Sequence, residues 1–73
     1  STQDLIVSAI SRITTPRGIS PDKLSQSDRV EIIRDLNNNG MFLLKGAVAT
    51  VAEVMGVSEP SVYRYLQKVK KEL

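Results

Sequence analysis

Apolar residues recur along this chain at the spacing i, i+3, i+4, i+7, and that periodicity removes most of the folds open to a 73-residue polypeptide. Ile6, Ala9, Ile10 and Ile13 give the first stripe, within Thr2 to Thr14, and Leu5 and Val7 broaden it. Val30, Ile33 and Leu36, at steps of three with Ile32 beside them, form the buried side of a second helix, and Val48, Val51, Ala52 and Met55 give a third stripe at the first spacing. Val62, Tyr65, Leu66, Val69 and Leu73 give the last. Each stripe is one face of an amphipathic helix that has to be buried against the others. The fold class is therefore all-α, a small helical bundle of about four helices. The run MFLL, residues 41–44, could be a short strand, but it has no partner strand. It is expected to be a buried connector with Phe42 in the core.

The breaks between stripes are equally legible. TTPRGISPDKL carries Pro16, Gly18 and Pro21, which exclude a continuous helix and leave a connection long enough for the first helix to pack away from the rest. This divides the chain into residues 1–19, helix and linker, and residues 20–73. Ser25 followed by Asp28 resembles a capping box with Asp in place of Glu. The second helix stops at NNNG, where Asn37 to Asn39 tolerate left-handed geometry and Gly40 supplies the turn.

Composition narrows the function classes. The chain has no cysteine and no histidine, so it has no thiolate site, no imidazole base to activate its serines, and only carboxylates to hold a metal. An enzyme is not expected, and no cofactor is implied. The absence of cysteine suits a reducing cytosol. No apolar run reaches the roughly 20 residues that span a membrane, and STQDLIVSAI has no basic leader before its apolar stretch. The expectation is a soluble, cytoplasmic chain without a membrane partner. The net charge of +2 is unevenly distributed: residues 1–57 carry six basic and six acidic side chains, residues 58–73 four and two. A locally basic last helix is a footprint of nucleic-acid binding, and also an ordinary solvated face.

The joint between the last two helices is tight. Met55 ends one helix, Gly56 turns, Val57 points inward, and Ser58 caps the next through its hydroxyl. Gly56 permits the left-handed backbone angle, and the small Ala52 one turn earlier allows close helix approach. Ala-x-x-x-Gly, an inward Val, then Val62 and Leu66 is the helix-turn-helix pattern. What the second helix leaves outward decides the function. Glu59, Pro60 and Ser61 occupy its first turn, where recognition helices meet base edges, and Pro60 fits there because its missing N–H has no intrahelical acceptor. Arg64 can pair with guanine or phosphate, Gln67 with adenine, and Tyr63 offers a hydroxyl and an apolar ring. Lys68, with Lys70 and Lys71, adds backbone attraction or solubility. Lys45 and Gly46, with Thr50 in the third helix, complete the candidate DNA-binding set; a phosphate at that helix start and a packing glycine are both open readings. Tyr63 could instead be half-buried, and Arg64 could pair with Glu59 or Glu72.

The stretch RVEIIRDLNNNGMFLLKGAVATVAEVMGVSEPSVYRYL resembles the C-terminal helix-turn-helix domain of YheO-like (DauR-like) transcriptional regulators, from about Ser20 to Leu73. The specific pieces are Gly40 with Phe42, Lys45-Gly46-Ala47, Val51-Ala52, Gly56-Val57-Ser58 and Tyr63-Arg64-Tyr65-Leu66. The resemblance implies a bacterial regulator with a PAS-like sensor upstream and this domain at its end, so the chain looks like an excised domain. VYRYL also resembles the DNA-binding domains of resolvase/invertase recombinases, but those usually lack the preceding GxFxLKGA segment. Glu59 departs from what phosphate contact favours, and points to cytosine recognition or an intramolecular cap.

The expected function is thus sequence-specific binding of double-stranded DNA with the last helix in the major groove, the full-length protein acting as a homodimer. Residues 1–19 would then serve dimerisation or connection to the sensor. The alternative is a helical protein-interaction module whose surface is the first-helix stripe of Leu5, Ile6, Ala9, Ile10 and Ile13.

Overall fold

The computed structural model describes residues 1–72. Leu73, expected at the end of the last apolar stripe, lies outside the described residues. Four helices follow one another: α1 (Thr2–Thr14), α2 (Gln26–Asn38), α3 (Ala47–Met55) and α4 (Glu59–Lys70). Three single-turn 3-10 segments, at Thr15–Arg17, Pro21–Lys23 and Met41–Leu43, carry the connections, and there is no strand among the described residues. The all-α bundle expected from the periodicity is what the chain forms.

The helix ends follow from local chemistry. Ser1, Ser25 and Ser58 each cap a helix by accepting, on the side-chain oxygen, the N–H three residues on. The capping box at Ser25 is only half made. Its hydroxyl takes the Asp28 N–H at 3.2 Å, but the Asp28 carboxylate lies 3.5 Å from Arg17, in the turn after α1. Aspartate is one methylene shorter than the glutamate of a full box, and an arginine reaches it instead.

One continuous core holds the four helices. Ile6 and Ile10 of α1, Ile32, Ile33 and Leu36 of α2, Val51 and Met55 of α3 and Val62 of α4 are almost wholly excluded from solvent within it. α1 packs on α3, α2 packs on α4, and α3 meets α4 across the tight joint. TTPRGISPDKL therefore does not let the first helix pack away. It folds as two compact turns that return the chain, with Leu24 buried and the Pro21–Lys23 turn set against α3. The reason is energetic: a chain this small has few large apolar side chains, and burying each isoleucine contributes about 1.5 to 3 kcal/mol, so the α1 stripe belongs to its own core.

MFLL is a 3-10 turn and not a strand, as expected, but Phe42 is only half-buried, packed against the edge of the core. Leu43 points outward and is 90% exposed. With Gly40 fixing a left-handed start (φ 74°) and only three residues in the turn, successive side chains fan around the axis and one apolar residue has to face water.

Candidate nucleic-acid interface

The joint between α3 and α4 is built as a rigid mount. Gly56 stands at φ 67°, and its N–H and that of Val57 return to the carbonyl of Ala52, the latter at 3.0 Å. A side chain would have room there, with Asp22 Cβ 3.5 Å from an added methyl, so it is the backbone angle that selects glycine. Val57 turns into the core edge, Ser58 leaves in an extended conformation, and α4 begins. Val62, Leu66 and Val69 then seat one face of α4 on the core, and Tyr65 packs beside them with its hydroxyl 3.5 Å from the Arg29 guanidinium.

That seating decides what faces out. Glu59, Pro60, Tyr63, Arg64, Gln67 and Lys68 are exposed, and Ser61 is half-exposed. Tyr63 is 55% exposed, which puts it outside the packing role, while Tyr65, on the apolar stripe, is half-buried against the edge of the core. Arg64 pairs with neither Glu59 nor Glu72. One of its terminal nitrogens (Nη2) donates to Ser61 Oγ at 2.9 Å, and Ser61 Oγ lies 3.0 Å from Ser58 Oγ. The cap of α4 belongs to Ser58, whose oxygen takes the Ser61 N–H at 3.2 Å; among the described residues Glu59 makes no side-chain hydrogen bond.

Of the two carboxylates in the last segment, one is engaged away from this face. Glu72 accepts two hydrogen bonds from Arg34 of α2, at 2.6 and 2.8 Å, and these bonds hold its carboxyl below the usual glutamate value. Arg17 takes Asp28 and Glu31. Of the two acids in the last segment, then, Glu72 is paired to Arg34 of α2 with Lys68 nearby, and Glu59 makes no ion pair among the described residues.

α3 contributes its start. Gly46 adopts φ 77° before the first turn, Lys45 and Gly46 are exposed, and Thr50 is half-exposed. Gly46, Ala49, Glu59 and Tyr63 line one shallow depression of about 260 Å³, with Phe42 and Leu44 at its edge. The starts of α3 and α4 are thus neighbours, and this brings the Gly46 part of the expected set together with Glu59 and Tyr63. Lys68 is not in that group: it lies along a separate cleft with Gln26, Ser27, Arg34 and Glu72. Ala49 and Phe42 were not read from the sequence as part of this surface. The signal was the bracket of Gly40 and Gly46, which sets the intervening turn against α2 and α3 and brings Phe42 and Leu44 to the depression that Glu59 and Tyr63 line.

No group of three or more acidic residues among the described residues is placed to hold a metal, and no helix there is long and apolar enough to cross a membrane. A family model described as an HTH domain matches residues 5–67, most of the chain. The chain belongs to this helix-turn-helix family. The match begins inside α1 and ends inside α4, so the HTH domain includes the first helix that the core also includes. No curated protein and no solved structure matches the chain.

Proposed function

We propose that this HTH domain binds double-stranded DNA sequence-specifically, with α4 in the major groove, as the DNA-binding part of a bacterial transcriptional regulator of the YheO-like kind. The observation that carries the reading is the mount of α4. Its inner face is locked to the core, while its cap and outer face present Ser58, Glu59, Pro60, Ser61, Tyr63 and Arg64, with Gln67 at the start of the third turn and an arginine free of any ion pair among the described residues. A helix is about 10 to 12 Å across and the major groove about 12 Å wide, so base contact needs a helix whose outer face is clear over those turns.

Within this reading Arg64 and Gln67 meet bases, Glu59 accepts from a cytosine amino group, and Tyr63 contacts a thymine methyl or a phosphate. Lys45, the backbone at Gly46, Thr50 and Lys68 contact the phosphodiester backbone. The Lys45-Gly46-Ala47 and Gly56-Val57-Ser58 pieces support the YheO-like assignment, and with it a homodimer reading two half-sites about 34 Å apart. Residues 1–19 join the domain to the sensor or to a second subunit through the side of α1 that the core leaves uncovered, where Leu5 and Val7 are exposed. Deleting α1 would remove Ile6 and Ile10 from the core, so the test of that side is a Leu5→Glu/Val7→Glu variant, whose sedimentation should shift to the monomer if α1 pairs subunits and stay unchanged if it does not.

The DNA reading is tested by fluorescence anisotropy of the chain, alone and tethered as a dimer, on labelled duplex DNA with nonspecific competitor. Affinity should fall steeply with salt, and Arg64→Ala should weaken binding to a selected duplex by about 1 to 3 kcal/mol. A chain that shows no duplex preference over competitor at low salt, in either form, contradicts the proposal.

A further inference from the structure

Resting on the DNA-binding reading above, we propose that Ser61 is a positioning residue that holds Arg64 for bidentate recognition of a guanine, so that guanine is the base read opposite the first two turns of α4. Arg64 lies one turn beyond Ser61, and its guanidinium reaches back along α4 to Ser61 Oγ at 2.9 Å. That directs the planar fork toward the N-terminal end of the helix, the end that meets base edges in this kind of docking.

The polar bookkeeping is complete without any acid. Ser61 Oγ accepts from Arg64 and shares a hydroxyl–hydroxyl hydrogen bond with Ser58 Oγ 3.0 Å away, and Ser58 Oγ also takes the Ser61 N–H to cap the helix. A hydroxyl anchor orients the guanidinium and leaves its charge uncompensated; a carboxylate in its place would have consumed both the charge and the fork, as Glu72 does to Arg34. One N–H is engaged, four of the five remain, and an adjacent pair of these suffices for O6 and N7 of guanine. A lysine in the same place would give only a point charge suited to phosphate, whereas an oriented planar fork selects an acceptor pair.

The serine can be separated from the helix cap. Ser58 accepts from the backbone N–H of Ser61, so Ser61→Ala leaves the cap in place, and its melting temperature should stay within a few degrees of the parent. Duplexes are first selected from a random pool with the chain, and each selected guanine is then replaced in turn by 7-deazaguanine, which lacks the N7 acceptor. One such replacement should weaken binding by about tenfold or more, and Arg64→Ala should abolish that sensitivity. Ser61→Ala should lower the discrimination several-fold without changing the salt dependence, Ser61→Thr should restore it, and Ser61→Ala should add nothing in the Arg64→Ala background.

If N7 sensitivity survives Arg64→Ala, or no selected guanine shows it, the guanine assignment is overturned while DNA binding stands. If Ser61→Ala still weakens binding in the Arg64→Ala background, the serine acts on DNA directly and the positioning role is overturned. If no duplex is enriched, the DNA-binding reading itself fails and this inference with it.

Discussion

Replacing Ile10 by alanine should cost this domain a large part of its stability, because the first helix is core. Ile10 is fully excluded from solvent on the face of α1 that packs on α3. The substitution removes three carbons, about 2.4 kcal/mol at about 0.8 kcal/mol each, and the unfilled space brings the total to about 3 kcal/mol. A globular chain of 73 residues has an unfolding entropy near 0.15 kcal/mol/K at about 2.1 cal/mol/K per residue, so the melting temperature should fall by about 20 °C. The whole domain is worth only about 4 to 11 kcal/mol at the usual 0.05 to 0.15 kcal/mol per residue, so the loss is large in proportion. Leu5 lies on the same helix but is 55% exposed, and Leu5→Ala should stay within about 0.5 kcal/mol, roughly 3 °C. Thermal melts followed by far-UV circular dichroism compare the two. Equal melting temperatures for Ile10→Ala and Leu5→Ala would refute the claim that α1 is built into the core.

Two further outcomes follow from local geometry. Gly56→Ala should destabilise the domain by about 1 kcal/mol, since φ 67° costs an alanine about 1 to 2 kcal/mol and the stiffer unfolded chain returns part of it; an unchanged denaturant midpoint would show that the turn relaxes. The Glu72 carboxyl is held below its ordinary value of 4.5, first by the hydrogen bond from Arg34. Its contribution is therefore complete above about pH 4.5 and lost as pH falls through the lowered folded value, so the melting-temperature gap between the parent and Glu72→Gln should close on acidification; a gap that persists there contradicts the pairing.

What the sequence disclosed and what it hid divide along a physical line. Helix identity and the Gly56 turn depend on neighbours three to four residues apart, so the four stripes and the caps at Ser25 and Ser58 could be read directly. Partners distant along the chain could not. That the Ile6 and Ile10 stripe packs on α3, that Glu72 reaches 38 positions back to Arg34, and that Arg17 captures Asp28 are all choices among chemically equivalent partners. The same limit applies to the interface. Exposure of Tyr63 and Arg64 followed from helical phase, whereas the approach of Gly46 and Ala49 to Glu59 and Tyr63 depends on how α3 crosses α4. The Ser61 to Arg64 bond has a helical spacing that sequence does disclose, but serine accepts from many donors and the spacing alone does not choose this one.

The central claim is that α4, with the start of α3, is the DNA-reading surface, and amide chemical-shift mapping tests it most directly. On titration with a selected duplex, the largest perturbations should fall on residues 58–67 and 45–50, with Leu5, Glu31 and Asp35 on α1 and α2 nearly unmoved. Perturbations centred on α1 and α2, with α4 silent, would contradict it.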